Sequence, residues 1–88
     1  MIRRRLLVRG FVQGVGFRFA VARRAESAGL AGSVRNLPDG GVEVVLEGRQ
    51  DAVELVTSFC AEGPRGARVD AVEATDEVPE GLRDFRVR

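Results

Sequence analysis

The sequence contains no histidine, which excludes the side chain that most often acts as a general base or as a ligand for zinc, copper or haem. It contains no lysine either, since all 14 basic residues are arginine, and this excludes Schiff-base chemistry and the Gly-Lys-Ser/Thr phosphate loop. The single cysteine, Cys60, can form neither an internal disulfide nor a metal pair. Any catalysis must therefore come from arginine, carboxylates, amides, hydroxyls or the substrate itself.

The length and charge of the chain indicate one small domain. A chain of 88 residues can bury one hydrophobic core, so we assign residues 1–88 to a single domain. The 14 arginines and 13 acidic residues leave a net charge of +1, too little to attract nucleic acid strongly. No apolar run is long enough to cross a membrane. We expect a cytoplasmic monomer without a nucleic-acid or membrane partner.

The pattern of apolar residues predicts alternating strands and helices. Period-2 and period-3.6 runs, separated by glycine and proline, give the order strand, helix, strand, strand, helix, strand, with a possible fifth strand. This order predicts an α+β, ferredoxin-like βαββαβ sandwich, in which two helices cover one face of an antiparallel sheet of four to five strands. The predicted elements are strand 4–12, helix 17–28, strands 31–37 and 42–47, helix 51–62, and strands 67–74 and 83–88.

Three charged segments are interpreted as exposed. The strand 42–47 alternates valine and leucine with Glu43 and Glu47, a pattern typical of a sheet with one solvated face. Residues 3–5 are three arginines, which we interpret as a solvated strand start. The acidic segment 75–81 is interpreted as a solvated loop, because its spacing fits no metal-ligand pattern.

The stretch from Gly10 to Arg18 joins the first strand to the first helix through a glycine-rich loop. Glycines permit a positive φ that turns successive N–H groups inward, and the helix that follows adds the positive end of its dipole. Arg18 supplies a forked, permanently charged donor that can bind phosphate with two hydrogen bonds. The loop therefore predicts an anion site, with phosphate as the first hypothesis.

The predicted topology brings a second polar residue to this loop. In the split βαβ arrangement the first and second strands run in the same direction on either side of another strand, so the chain leaves both at the same edge. The end of the second strand, Val34-Arg35-Asn36, then lies beside the glycine loop. The residues alone favour an ordinary turn residue at Asn36, before Pro38-Asp39-Gly40, over a functional one.

The chain resembles the acylphosphatase family in two signatures. The first is Gly, any residue, Val-Gln-Gly-Val, a glycine or similar residue, an aromatic and Arg, and Gly10 to Arg18 reproduces every fixed position. Ser33 stands where the second signature has an aromatic ring. The residues in register with the second signature are Gly32, Val34, Arg35, Asn36, Gly40, Val42 and Gly48.

This resemblance implies an enzyme that hydrolyses acyl phosphates, small-molecule mixed anhydrides, to a carboxylate and inorganic phosphate without a metal or cofactor. It implies that Arg18 binds the phosphoryl oxygens and that Asn36 positions the attacking water. The further phosphate-binding residues implied, through their backbone N–H groups, are Gln13, Gly14, Val15, Gly16 and Phe17. Phe11, Phe17 and Cys60 are interpreted as packing residues.

Two other functions fit the same pattern. The βαββαβ order also occurs in RNA-recognition domains, and Arg9-Gly10-Phe11 matches the start of one of their signatures, but on the first strand instead of the third. Tyrosine and tryptophan, which stack on bases, are absent. Acylphosphatase-like domains also begin larger carbamoyl-transfer proteins that mature hydrogenases. Because this sequence stops at Arg88, we expect a free-standing enzyme.

Overall fold

Two helices pack on one face of a five-stranded sheet, as the sequence predicts. The structure, a computed structural model, describes all 88 residues. No helix in it is long and apolar enough to cross a membrane. The elements in chain order are β1 (Ile2–Phe11), α1 (Phe17–Ser27), β2 (Ala31–Asn36), β3 (Val42–Gly48), α2 (Gln50–Glu62), β4 (Arg68–Glu77) and β5 (Phe85–Val87).

The sheet has the strand order β4-β1-β3-β2-β5. The first four strands are antiparallel to their neighbours, but β5 pairs parallel to β2, with Gly32 opposite Phe85. The expectation of a wholly antiparallel sheet is therefore corrected: the sheet is mixed. The chain crosses from β4 to the opposite edge of the sheet before it forms β5, and so enters it in the direction of β2. As predicted, β1 and β2 flank β3 and end at the same edge.

The hydrophobic core lies between the sheet and the two helices. Alternate residues of the central strands point into it, and Phe17 and Val21 of α1 and Val53 and Val56 of α2 close it from the other side. All of these side chains are buried. Cys60 is buried in the same core, and burial raises the pKa of its thiol to about 12. The packing role predicted for Cys60 is confirmed, and the thiol is unreactive at neutral pH.

The second face of the sheet is not the solvated surface that the alternation predicted. All seven residues of β3 are buried, including Glu43 and Glu47. The Arg3 guanidinium donates to Glu47 at 2.7 Å and to Glu77 at 2.8 Å. Arg5 also binds Glu43 and Glu77. Oppositely charged partners on adjacent strands satisfy these groups, so the central strand tolerates carboxylates on its outer side.

The arginine and acidic segments, both interpreted as solvated, are thus paired with each other. The strand β4 extends to Glu77, beyond the predicted end at residue 74, and its last residues lie opposite residues 3–5 of β1. Arg3 is almost completely buried. Glu47 also accepts hydrogen bonds from the N–H groups of Glu80, Gly81 and Leu82, at 2.8 to 3.1 Å. These bonds fasten the segment before β5 across the face.

Candidate active site

The loop between β1 and α1 comprises residues 12–16 and has the backbone conformation that its glycines predict. Gly14 and Gly16 have φ values of 76° and 78°, in the left-handed region that other residues rarely adopt. A Cβ at either position would meet open space, so the requirement for glycine comes from φ and not from crowding. The loop ends at Gly16, which caps α1 without a side-chain hydrogen bond.

The backbone N–H groups of residues 13–19 donate no hydrogen bond within the protein. The first backbone donor of the helix region is Ala20, which binds the Gly16 carbonyl oxygen at 3.0 Å. The first turn of α1 contains no acidic residue that could neutralise the positive end of the helix dipole. Seven consecutive donors at a helix N-terminus can therefore bind an anion from solution.

The side chains of the loop anchor it to the rest of the protein. Phe17 is buried in the core, as predicted, and Val15 packs against the core. The Gln13 amide Nε2 donates to the carbonyl oxygens of Leu37 and Gly41, both at 2.8 Å. These contacts hold the loop against the hairpin turn between β2 and β3. The side chains of Gln13, Val15 and Phe17 are thereby occupied, so these three residues can contact a ligand only through their backbone.

Arg18 lies half-buried in the first turn of α1 and forms no salt bridge with an aspartate or glutamate side chain. Its Nη1 donates to the main-chain oxygen of Arg88 at 2.8 Å. The Arg88 N–H in turn donates to the Val34 carbonyl oxygen at 2.8 Å. Arg88 thus links Arg18 to β2, and the other guanidinium N–H groups of Arg18 are left to bind a ligand.

Asn36 is the last residue of β2 and its side chain is exposed. It pairs with Val42 and lies two residues after Val34, and both valines are in the core under the helices. Since side chains alternate along a strand, Asn36 lies on the helix-covered face, the side on which α1 begins. Its amide forms no hydrogen bond within the protein, so its acceptor and two donors are free.

The structure brings the predicted halves of the site together. Leu37, the residue after Asn36, accepts the hydrogen bond from the loop residue Gln13. Val34, two residues before Asn36, is linked to Arg18 through Arg88. The glycine loop and Arg18 are therefore fastened to β2 on both sides of Asn36. The contribution of Arg88 could not be predicted, because it comes from a main-chain oxygen that every residue carries.

One residue beside the site was predicted wrongly. Phe11 was interpreted as a core residue, but it is 57% exposed. The core residues Leu6, Val8 and Val12 keep an unbroken period of two, so Phe11 lies on the opposite face of the strand. There it pairs with the exposed Arg68 of β4. No group of three or more carboxylate or cysteine side chains is placed to share a metal ion.

Comparison of the sequence with known proteins points to one family. The sequence model of the Acylphosphatase family matches residues 4–87. An acylphosphatase of Trichormus variabilis is 50% identical over 88 residues, covering 100% of this chain and 87% of that protein. The crystal structure of acylphosphatase from Bacillus subtilis aligns with a TM-score of 0.97 at 35% identity, over 100% of this chain and 99% of that one.

The same fold also occurs inside a longer protein. The crystal structure of T. kodakarensis HypF aligns with a TM-score of 0.86 at 38% identity, and the match covers 100% of this chain but 12% of that one. The relatives that match over nearly their whole length are acylphosphatases. With the family model spanning almost every residue, this chain belongs to the acylphosphatase family, the enzymes that hydrolyse acyl phosphates.

Proposed function

We propose that the glycine loop and Arg18 hold the phosphoryl group of an acyl phosphate while Asn36 positions the water that attacks it. The observation that carries this proposal is the run of unpaired N–H groups at residues 13–19 beside an arginine without an aspartate or glutamate partner. A phosphoryl group has three oxygens that could accept these hydrogen bonds. The free amide of Asn36 lies at the same edge of the sheet.

The donors act mainly on the transition state. Phosphoryl transfer passes through a loose transition state whose charge is spread over the equatorial oxygens, and fixed donors around them stabilise it. Removing one preorganised donor of this kind typically raises the barrier by roughly 3 to 4 kcal/mol. Arg18 contributes both a full charge and a forked geometry, which a lysine could not reproduce.

Asn36 orients the water but does not deprotonate it. A neutral amide can accept one hydrogen bond from the water and donate another to it or to the substrate, yet it takes no proton at neutral pH. The chain has no histidine or lysine for that purpose. The carboxylate is a good leaving group, so a phosphate oxygen of the substrate can receive the proton as the P–O bond to the carboxylate breaks.

The proposal is tested by hydrolysis of benzoyl phosphate in the presence of a chelator. Wild-type activity should survive chelation, whereas Arg18→Lys and Asn36→Ala should each lose about 100-fold or more in kcat. Arg23→Lys is a matched control, since Arg23 is an exposed arginine of the same helix without a salt bridge. Retained activity in Asn36→Ala would refute the water-positioning role, and loss of activity in Arg23→Lys would show a general sensitivity to arginine replacement.

The proposed site contacts do not distinguish between acyl groups of the substrate. The site residues contact the phosphate end, so acetyl, benzoyl and carbamoyl phosphate should be compared; a clear preference for carbamoyl phosphate would favour the carbamoyl-transfer alternative over a general acylphosphatase. We propose a small-molecule acyl phosphate as the substrate. The single-domain assignment, the monomeric state, the cytoplasmic location and the lack of a nucleic-acid partner stay predictions.

A further inference from the structure

The hairpin turn that follows Asn36 is fastened to β1 by an ion pair between two residues that the family signatures do not specify. The Arg9 Nη1 atom donates to the Asp39 carboxylate at the tip of the turn. The other oxygen of that carboxylate, Oδ1, accepts the N–H of Gly41 at 3.0 Å. Arg9 directly precedes Gly10, where the glycine loop begins. One end of the pair therefore lies beside the phosphate loop and the other on the turn that follows Asn36.

The turn has a conformation that leaves room for this contact. A Cβ at Gly41 would lie 2.7 Å from Arg9 Nη1 and 3.0 Å from the Val8 carbonyl oxygen. Gly41 does not have a positive φ, so its own backbone conformation does not require glycine. Glycine leaves room at this position for the Arg9 side chain and for the Val8 carbonyl oxygen.

The side chains of Arg9 and Gln13 both form hydrogen bonds to this turn, at different places. Gln13 binds the carbonyl oxygens at its two ends, Leu37 and Gly41, while Arg9 binds its tip through Asp39. The turn is also closed internally by the Leu37 N–H, which donates to the Gly41 carbonyl oxygen at 2.8 Å. Gln13 thus holds the base of the turn and Arg9 holds its tip.

We propose that Arg9 and Asp39 are positioning residues that hold Asn36 at its working distance from the phosphate loop. This inference rests on the proposed function, since it assigns Asn36 to the water. Neither side chain contacts the phosphate donors themselves. The pair is largely exposed, with 41% and 56% of the two side chains accessible, and exposed ion pairs contribute little to stability. Its loss should therefore change the rate and leave the fold intact.

The test compares Arg9→Gln and Asp39→Asn with wild type on benzoyl phosphate. Small misplacements of reacting groups cost large factors in rate, so each variant should lose about fivefold to tenfold in kcat. The inhibition constant of inorganic phosphate should stay within about twofold, because the loop and Arg18 are unchanged. Arg9→Lys, which can still pair with Asp39, should recover most of the rate. Arg49→Gln removes another exposed ion pair, with Asp51, and should have no effect.

A double-mutant cycle separates this inference from the proposed function. Combining Arg9→Gln with Asp39→Asn should cost no more than either change alone, since both remove one contact. In the Asn36→Ala background, Arg9→Gln should cause no further loss of the residual rate. If Asn36→Ala is inactive but Arg9→Gln keeps wild-type kcat, the positioning role is wrong and the proposed function stands. If Asn36→Ala is fully active, the proposed function itself is wrong.

Discussion

Replacing Glu47 with glutamine should remove a large part of the free energy of unfolding. The Glu47 side chain is completely buried and accepts four hydrogen bonds, one from Arg3 and three from backbone N–H groups. Burial, the largest single influence, raises the pKa of this carboxyl, but the hydrogen bonds from Glu80 N–H, Arg3 and the next two N–H groups together lower it below its ordinary value. The carboxylate is therefore charged at neutral pH.

The geometry gives the size of the effect. Oε1 accepts from Gly81 and Leu82, and Oε2 accepts from Arg3 and Glu80. A glutamine NH₂ group in either place would face two donors, so two hydrogen bonds are lost whichever way the amide turns. Breaking a buried ion pair on one side costs about 3 to 5 kcal/mol. A chain of this size has a free energy of unfolding of roughly 4 to 13 kcal/mol, so the loss should be between about a quarter and all of it.

The assay is urea unfolding followed by far-UV circular dichroism, since the chain has no tryptophan or tyrosine for fluorescence. Glu73→Gln is the matched control, because Glu73 is exposed and forms no salt bridge, and it should change stability by less than about 0.5 kcal/mol. A Glu47→Gln variant within about 1 kcal/mol of wild type would refute the argument that this carboxylate fastens residues 80–82 across the sheet.

Further predictions concern acid stability, the outer cavity and the loop. Hydrogen bonds from Arg5 and Arg3 lower the pKa of Glu77 to about 2 from an ordinary value of 4.5. The stabilisation by its carboxylate should therefore be complete above pH 4.5 and vanish as the pH falls toward 2. In Glu77→Gln, the urea concentration at the unfolding midpoint should fall less between about pH 5 and pH 2 than in wild type, and an equal fall would contradict this. Ser33 and Val45 line a pocket on the face of the sheet opposite the helices. Ser33→Phe should raise the free energy of unfolding measured in urea by about 1 kcal/mol. A destabilised variant would contradict this prediction. Gly16→Ala and Gly66→Ala should each lower the free energy of unfolding by about 1 to 2 kcal/mol, because both glycines have a positive φ and open space around them. Only Gly16→Ala should weaken inhibition by inorganic phosphate. Equal inhibition constants in the two variants would argue against the loop as the phosphate site.

Much of the fold could be predicted from local patterns. The order of strands and helices follows from apolar periodicity and from glycine and proline at the boundaries, and both helices lie within a residue or two of their predicted limits. The juxtaposition of the glycine loop and Asn36 follows from the βαββαβ order alone, because β1 and β2 must end at one edge. These features depend on residues that are close in sequence or on general rules of connection.

The errors lie where distant residues set the environment. Glu47 alternates with core residues and was interpreted as solvated, but Arg3 and the segment before β5 cover it. Neither partner is near it in sequence, and charge alone does not show which carboxylate pairs with which arginine. Phe11 is a different kind of error, because the alternation of Leu6, Val8 and Val12 already places it on the other face, and only its apolar character suggested the core. The direction of β5 likewise depends on the path of residues 78–84.

The most direct test of the site is hydrolysis of benzoyl phosphate by the wild-type protein in water labelled with ¹⁸O, followed by mass analysis of both products. If the loop and Arg18 hold the phosphoryl group and the water positioned by Asn36 attacks phosphorus, the P–O bond breaks. The label must then appear in inorganic phosphate and not in benzoate. Label in benzoate would mean that water attacks the carbonyl carbon, and it would contradict the assignment of these residues to phosphoryl transfer.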